Sequence, residues 1–243
     1  MMAATNESSA LIQVRGLVKT YGLLPVLRGL NLDIQRGESV ALLGANGSGK
    51  STFMRLVSAL SKPTSGQITV GGWELPREAA AVRAQIGTVA HKPLLYENLT
   101  AMENLRFFAR LYNISNAEAR CTEMLERVGL ARRSNDLVRT FSRGMLQRLA
   151  IARALLHEPE VLLFDEPHTG LDQEAAAMLD AVVVEQRASG RTVLMATHEL
   201  ERAARLSSRI VILARGAVSA DVPTDGMTGA ELAALYAAKA GAR

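Results

Sequence analysis

Cysteine, aromatic residues and long apolar runs are all scarce in this sequence of 243 residues. Its one cysteine, Cys121, rules out an internal disulfide framework and fits a reducing compartment. At its position in a helical pattern, Cys121 reads as a small packed residue. No apolar run approaches the ~20 residues that cross a bilayer, so any membrane role is expected to pass through a partner protein. The opening stretch Met1–Ala10 is polar and carries Glu7, without a basic cluster or an apolar centre. It is not expected to act as a secretory signal. There is no internal repeat and no low-complexity segment.

Charge of one sign is also nearly absent as a block. The net charge is +4, and arginines are frequent from Arg120 to Arg153. Glu118, Glu123, Glu126 and Asp136 are interspersed among them, which is the pattern of mixed, solvated helix faces. Nucleic acid is therefore not expected as a partner. Contact with a membrane protein or with acidic lipid head groups remains an open reading of the same charge.

What is present is the composition of one large α/β domain, 48% hydrophobic and 21% charged, with room for a small inserted subdomain. Leu11–Arg15 and Leu30–Ile34 alternate as edge strands do, with a turn-like Lys19-Thr20-Tyr21-Gly22 between them. Ser39–Leu43 predicts a buried strand, Ser51–Leu60 a helix closed by Lys62–Gly66, and Gln67–Val70 and Ile86–Ala90 further strands. The stretch from about 92 to 157 is strand-free. In it Thr100 and Glu103 predict a capping box, and Ser115 with Glu118 predicts a second helix start, ended at Gly129. The strand–helix rhythm then resumes with Val161–Phe164, Gln173–Ala188, Thr192–Ala196, Glu199–Leu206 and Ile210–Ala214. Such alternation predicts right-handed βαβ units and a mainly parallel sheet. The tail from Thr228 reads as a short Ala-rich helix, loosely attached.

Three segments carry chemistry. Gly44-Ala45-Asn46-Gly47-Ser48-Gly49-Lys50-Ser51-Thr52 has the phosphate-loop pattern, set between a strand and a helix. Its glycines let backbone N–H groups turn inward around a phosphate, and the helix N-terminus adds favourable dipole potential. Lys50 can reach the β- and γ-phosphates, while Ser51 offers a hydroxyl to Mg²⁺. Asp165 and Glu166 stand at the C-terminal end of the apolar run Val161–Phe164, where α/β sheets form their ligand crevice. There Asp165 would hold Mg²⁺, and Glu166 would orient or deprotonate an attacking water. His198 follows Thr192–Thr197 at the corresponding end of another strand, placed for a γ-phosphate contact.

In this order the elements resemble the nucleotide-binding domains of ABC-type ATPases, from about Leu11 to Val218. The resemblance implies a P-loop NTPase fold with a mainly parallel core sheet, an antiparallel β-subdomain and an inserted helical subdomain at about 92–157. Residues 219–243 would be a short C-terminal extension. It also implies ATP and Mg²⁺ as cofactors, with ATP hydrolysis coupled to transport. Tyr21 matches the aromatic that stacks on adenine. Phe141-Ser142-Arg143-Gly144-Met145 matches the signature segment, in which Ser142 and Gly144 would bind the nucleotide of a second subunit. Thr169-Gly170-Leu171-Asp172 is similar to the loop that lines the dimer seam, and His198 to the switch histidine. Arg143 and Met145 depart from the Gly and Gln usual in that signature. His91 stands where the family normally has Gln, which contacts Mg²⁺ or the lytic water and relays to the membrane partner; an imidazole cannot copy an amide.

The implied partners are a second ATPase copy and integral membrane permease subunits, at the cytoplasmic face of the cell membrane. His91–Thr100 with Glu103–Tyr112 resembles the ATPase subunit of bacterial haem exporters in cytochrome c maturation. The Ser-Arg-Gly-Met signature fits that group and also other exporters with separately encoded membrane subunits, for drugs, lipids or polysaccharides. Nothing here could ligate haem: there is no Cys-x-x-Cys-His, and the 4 histidines are scattered. The reading from another class is a soluble ABC ATPase such as an iron–sulfur assembly subunit.

Overall fold

The computed structural model describes residues 10–90 and 92–240. An antiparallel ribbon comes first, β1 (Ile12–Tyr21) with β2 (Leu24–Ile34), followed by β3 (Ser39–Leu43) and the helix α1 (Lys50–Val57). Next come β4 (Ser65–Val70), β5 (Trp73–Leu75), α2 (Ala79–Gln85) and β6 (Ile86–Val89). A helical arm follows, with α3 (Ala101–Leu111), α4 (Ala117–Arg127) and α5 (Arg143–Leu155). The remaining elements are β7 (Val161–Asp165), α6 (Gln173–Ala188), β8 (Thr192–Ala196), α7 (Leu200–Leu206), β9 (Arg209–Ala214), β10 (Ala217–Pro223) and α8 (Gly229–Ala240).

The six-stranded sheet runs β10-β9-β3-β8-β7-β6, and every neighbouring pair from β9 to β6 is parallel. A parallel sheet buried on both faces needs strands apolar at every position. Strand β7 meets this, sending Val161 and Leu163 to the core shared with α1 and Leu162 and Phe164 to the core of the helical arm. The sheet order has one consequence for the site. β3, β8 and β7 lie side by side, so their C-terminal ends bring the residues that follow Leu43, Ala196 and Phe164 to one edge.

The second sheet, ordered β2-β1-β4-β5, is antiparallel. Both strands of its first hairpin are longer than the alternation predicts. Lys19, Thr20 and Tyr21 belong to β1, and the turn falls at Gly22-Leu23. Register shifts in the β1–β2 ladder interrupt the period-2 pattern, which hides the strand from a reading based on alternation. Strand β5, helix α2 and strand β10 are not evident from the sequence. They span Trp73–Leu75, Ala79–Gln85 and Ala217–Pro223.

In the arm, the capping box at Thr100 forms as expected. The Thr100 hydroxyl accepts from Glu103 N at 3.1 Å, and the Glu103 carboxylate accepts from Thr100 N at 2.8 Å. The second helix, expected to open at Ser115, begins at Ala117 instead. α4 starts behind Asn116 with no side-chain cap, and the Glu118 carboxylate is bound by both arms of the Arg106 guanidinium instead. A bidentate charged pair outcompetes a single bond to a backbone amide. Asn104, fully buried, holds the preceding loop through Tyr96 N at 2.8 Å, Tyr96 O at 3.0 Å and Thr100 O at 2.9 Å.

The tail is not loose. α8 lays Leu232, fully buried, into a cluster with Ala41, Leu43, Ala203, Ile210 and Ile212. Alanines let the helix approach closely while its few larger side chains bury apolar area. Strand β10 runs through Val218, so the main sheet takes in residues on both sides of that position.

Candidate functional site

The loop between β3 and α1 is shaped by backbone that only glycine adopts cheaply. Gly49 has φ 110° and serves as the N-cap residue of α1, and a β-carbon on it would lie 2.7 Å from Leu27 Cδ2. A β-carbon on Gly44 would overlap Ser48 Oγ and the Leu213 carbonyl. No side chain caps the start of α1, so its first turn presents N–H groups rather than spending them on a cap. The Lys50 ammonium, only 6% exposed, donates to the carbonyls of Gly44 at 2.6 Å and Ala45 at 3.4 Å. It stands 3.8 Å from the Glu166 carboxylate. The Ser51 hydroxyl donates to Asp165 Oδ1 at 3.0 Å, joining residues 114 positions apart.

Glu166 is the first residue past β7 and takes φ 50°, a left-handed conformation that a residue with a β-carbon adopts at a cost. The rest of its backbone is held, since Glu166 N donates to Ala196 O at 2.9 Å. The strain turns the carboxylate back over the sheet edge. There its Oε2 lies 2.7 Å from His198 Nδ1, and a carboxylate can only accept, so Nδ1 carries the proton. The His198 ring is 62% exposed while the Glu166 side chain is 19% exposed. The phosphate loop, Asp165, Glu166 and His198 thus converge at the ends of three adjacent strands.

The other sequence-derived residues lie around this centre. Tyr21, 48% exposed, ends β1 with the Lys19 ammonium 4.8 Å from its ring centroid. It pairs with Leu24 across the hairpin, and further along β2 Val26 and Leu27 abut Gly49. Ser142 caps α5, accepting from Met145 N at 3.3 Å, and Asp172 caps α6, accepting from Ala175 N at 2.8 Å. Gly144 packs between them, where a β-carbon would sit 3.7 Å from Asp172 Oδ2. Among the described residues, none of these three is hydrogen-bonded to residues 44–52. They are fastened to the strand end instead, since Gln147 Nε2 donates to Pro167 O at 2.8 Å and the Arg143 guanidinium lies over Gly170. His91 lies outside the described residues.

Two further groups escape a reading of the sequence. His168 and Asp180 form a buried pair, Nε2 to Oδ1 at 2.8 Å, and nothing in their 12-residue spacing signals it. Burial holds the His168 pKa below the ordinary histidine value against the pull of Asp180. The other group is an apolar cleft of about 750 Å³, between α2 and β6 on one side and α3 and α5 on the other. It is lined by Leu60, Leu95, Tyr96, Phe108, Leu111 and Tyr112, with Arg153 buried beside them. The Arg153 Nε has no hydrogen-bond partner, and the charged residues lining the cleft are Arg83 and Arg153, with no carboxylate.

Residues 27–169 match the family described as ABC transporter. The chain is 39% identical over 208 residues to the linearmycin resistance ATP-binding protein of Bacillus subtilis, covering 85% of this chain and 67% of that one. It is 42% identical over 216 residues to a daunorubicin resistance ATP-binding protein of Streptomyces coeruleorubidus, covering 88% of this chain and 68% of that one. The chain therefore spans about two thirds of the length of these relatives. Among solved structures it is similar to a dimeric ATP-binding cassette in a post-hydrolysis state bound to ADP and Pi. The TM-score is 0.82 at 29% identity, over 88% of this chain and 98% of that one.

Proposed function

The chain belongs to the ABC transporter family as an ATP-hydrolysing subunit that energises export, and from that premise we propose that two copies close around two ATP molecules. The observation that carries the hydrolytic part of this reading is the row of Ser51–Asp165 and Glu166–His198 contacts along adjacent strand ends, and the dimeric cassette to which the chain is similar supports the pairing. Phosphates seat on the loop Gly44–Thr52, where Lys50 exchanges its carbonyl partners for β- and γ-phosphate oxygens. Tyr21 stacks on adenine. Ser142 and Gly144 at the start of α5, beside Asp172, meet the nucleotide held by the other copy.

Ser51 and Asp165 offer a hydroxyl and a carboxylate oxygen, hard donors that fit Mg²⁺ alongside phosphate and water. Among the described residues no group of three or more His, Cys, Asp or Glu side chains is placed to hold a metal ion, so the protein's share of any such site is small. When bound, the ion would neutralise phosphate charge. Glu166 holds a water in line with the γ-phosphorus and takes its proton as the water oxygen attacks. The bond to the β-phosphate bridging oxygen breaks, releasing ADP and phosphate. His198, with its Nδ1 proton on Glu166, fixes the carboxylate and turns its other ring nitrogen outward. The test is Glu166→Gln: ATP should drive a stable dimer with little turnover, and hydrolysis at the wild-type rate would remove Glu166 from this role.

The export substrate we propose is a small amphiphilic molecule of the drug or lipid kind. The relatives' names support it, since they refer to linearmycin and daunorubicin resistance, and neither refers to haem. No helix among the described residues is long and apolar enough to cross a membrane, and the proposed pathway is formed by membrane subunits on which this ATPase acts. A segment of such a subunit, with an acidic residue to complement Arg153, is the proposed occupant of the apolar cleft, which would place the chain at the cytoplasmic face of the membrane. Deletion should sensitise cells to such compounds while leaving haem attached to c-type cytochromes; the reverse outcome restores the haem-export reading. Pull-down from detergent-solubilised membranes should return a polytopic protein, and purely soluble partners would favour an assembly ATPase.

A further inference from the structure

Asp180 lies on α6, and its buried carboxylate carries three partners. Oδ1 accepts from His168 Nε2 at 2.8 Å. Oδ2 accepts from Arg205 Nη2 at 2.6 Å and from Arg202 Nε at 3.4 Å. Arg202 is paired in turn with Glu199. His168, Arg202, Arg205 and Glu199 are the titratable and charged groups of this cluster.

The connections matter because of what each arm leads to. His168 stands two residues after Glu166, in a turn where Thr169 N donates to Glu166 O at 3.3 Å and Leu171 N to His168 O at 3.1 Å. Arg202 and Arg205 lie on α7, the helix that begins immediately after His198 and Glu199. The carboxylate therefore bridges the segment behind Glu166 and the segment behind His198, whose side chains meet at 2.7 Å. Because a carboxylate only accepts, Asp180 also sets the His168 tautomer, leaving Nδ1 buried without a hydrogen-bond partner. A buried carboxylate with charged donors resists displacement, since separating it from any one of them leaves a charge in a poor dielectric.

We propose that Asp180 is a positioning residue for ATP hydrolysis, tying the Glu166 segment to the His198 segment so that the two side chains keep their hydrogen bond. The proposal rests on the reading of Glu166 and His198 as the hydrolytic pair. Asp180→Asn keeps an oxygen for His168 but sets an amide NH₂ against Arg202 and Arg205.

The experiment is a double-mutant cycle of Asp180→Asn with His198→Ala, read as kcat and KM for ATP in the purified protein. In the wild-type background Asp180→Asn should lower kcat about tenfold with KM for ATP changed less than twofold, the scale of one misplaced catalytic hydrogen bond. In the His198→Ala background it should lower kcat less than twofold. A full loss in both backgrounds, or no loss in the first, overturns the proposal. Wild-type turnover by His198→Ala alone would strike the parent reading of His198 instead. Arg205→Gln, at an exposed side chain, provides a variant that does not disturb the core and should show the same non-additivity at smaller amplitude. An additive effect there counts against the bridge.

Discussion

The phosphate-loop edge and the signature edge of this protein are organised in opposite ways. At the first, functional side chains are tied to one another within the chain: Lys50 to the loop carbonyls, Ser51 to Asp165, and Glu166 to His198. At the second, Ser142 and Asp172 spend one oxygen each on capping their own helices, and Gly144 between them offers only backbone. A preorganised cluster of charged groups can bind and polarise a ligand alone. A pair of helix starts supplies N–H groups and dipole potential that need an anion brought to them. On the function proposed here, the difference assigns chemistry to the first edge and assembly to the second.

The sharpest way to break that contrast is to remove the base. Glu166→Gln should lower kcat for ATP about 1000-fold, within the range of general base catalysis, while nucleotide affinity holds in an equilibrium binding assay. A comparable loss of affinity would mean that the two edges do not divide binding from chemistry.

The next test concerns the arm that carries the signature. Two residues past α5, His157 is half-buried and stacks on Tyr112 at 3.7 Å, and desolvation of its ring, aided by the Arg153 charge, lowers its pKa to about 4 despite a backbone contact at Ile86. The folded state prefers neutral imidazole, so the stabilisation is intact above the unfolded value near 6.5 and is lost as pH falls toward 4. Linkage bounds the loss at about 3 kcal/mol. Chemical denaturation at pH 7 and pH 4.5 should show it, and His157→Phe should flatten that share of the pH dependence. An unchanged slope would remove His157 as its source.

A smaller effect is expected at the signature itself. Ser142→Ala removes a helix cap and a phosphate donor. It should weaken ATP-driven dimerisation of the Glu166→Gln protein about tenfold, with monomer nucleotide binding unchanged. If monomer binding falls equally, the signature belongs to its own chain's site. Smallest of all is Tyr21→Ala, expected to raise KM for ATP a few-fold through lost stacking of about 1 kcal/mol. Equal loss for ATP and for inorganic triphosphate would show that the ring does not read the base.

Much of the site was legible because its pieces are local in sequence. A glycine-rich loop, an apolar strand ending in two carboxylates and a strand ending in histidine each announce themselves within ten residues. The capping box at Thr100 formed for the same reason. Where a local rule met a long-range competitor, it lost: Glu118 went to Arg106 rather than to the start of α4, because a bidentate ion pair is stronger than one cap bond. From sequence the helix after Thr228 reads as loose because its alanines carry little signal. The surface it covers, around Ala41 and Ile210, is far away in the chain.

The residue string determined that a nucleotide phosphate loop, a buried acidic strand end and alternating strands and helices would exist, since propensity and period act over neighbours. Only the tertiary structure decided which of them would touch. The order β3-β8-β7 set Ser51 on Asp165 and Glu166 on His198, and packing of α6 against the post-Glu166 loop and α7 enclosed Asp180 with His168 and two arginines. Strand order joins Ser51 to Asp165 across 114 positions and Glu166 to His198 across 32, and no local pattern carries that information.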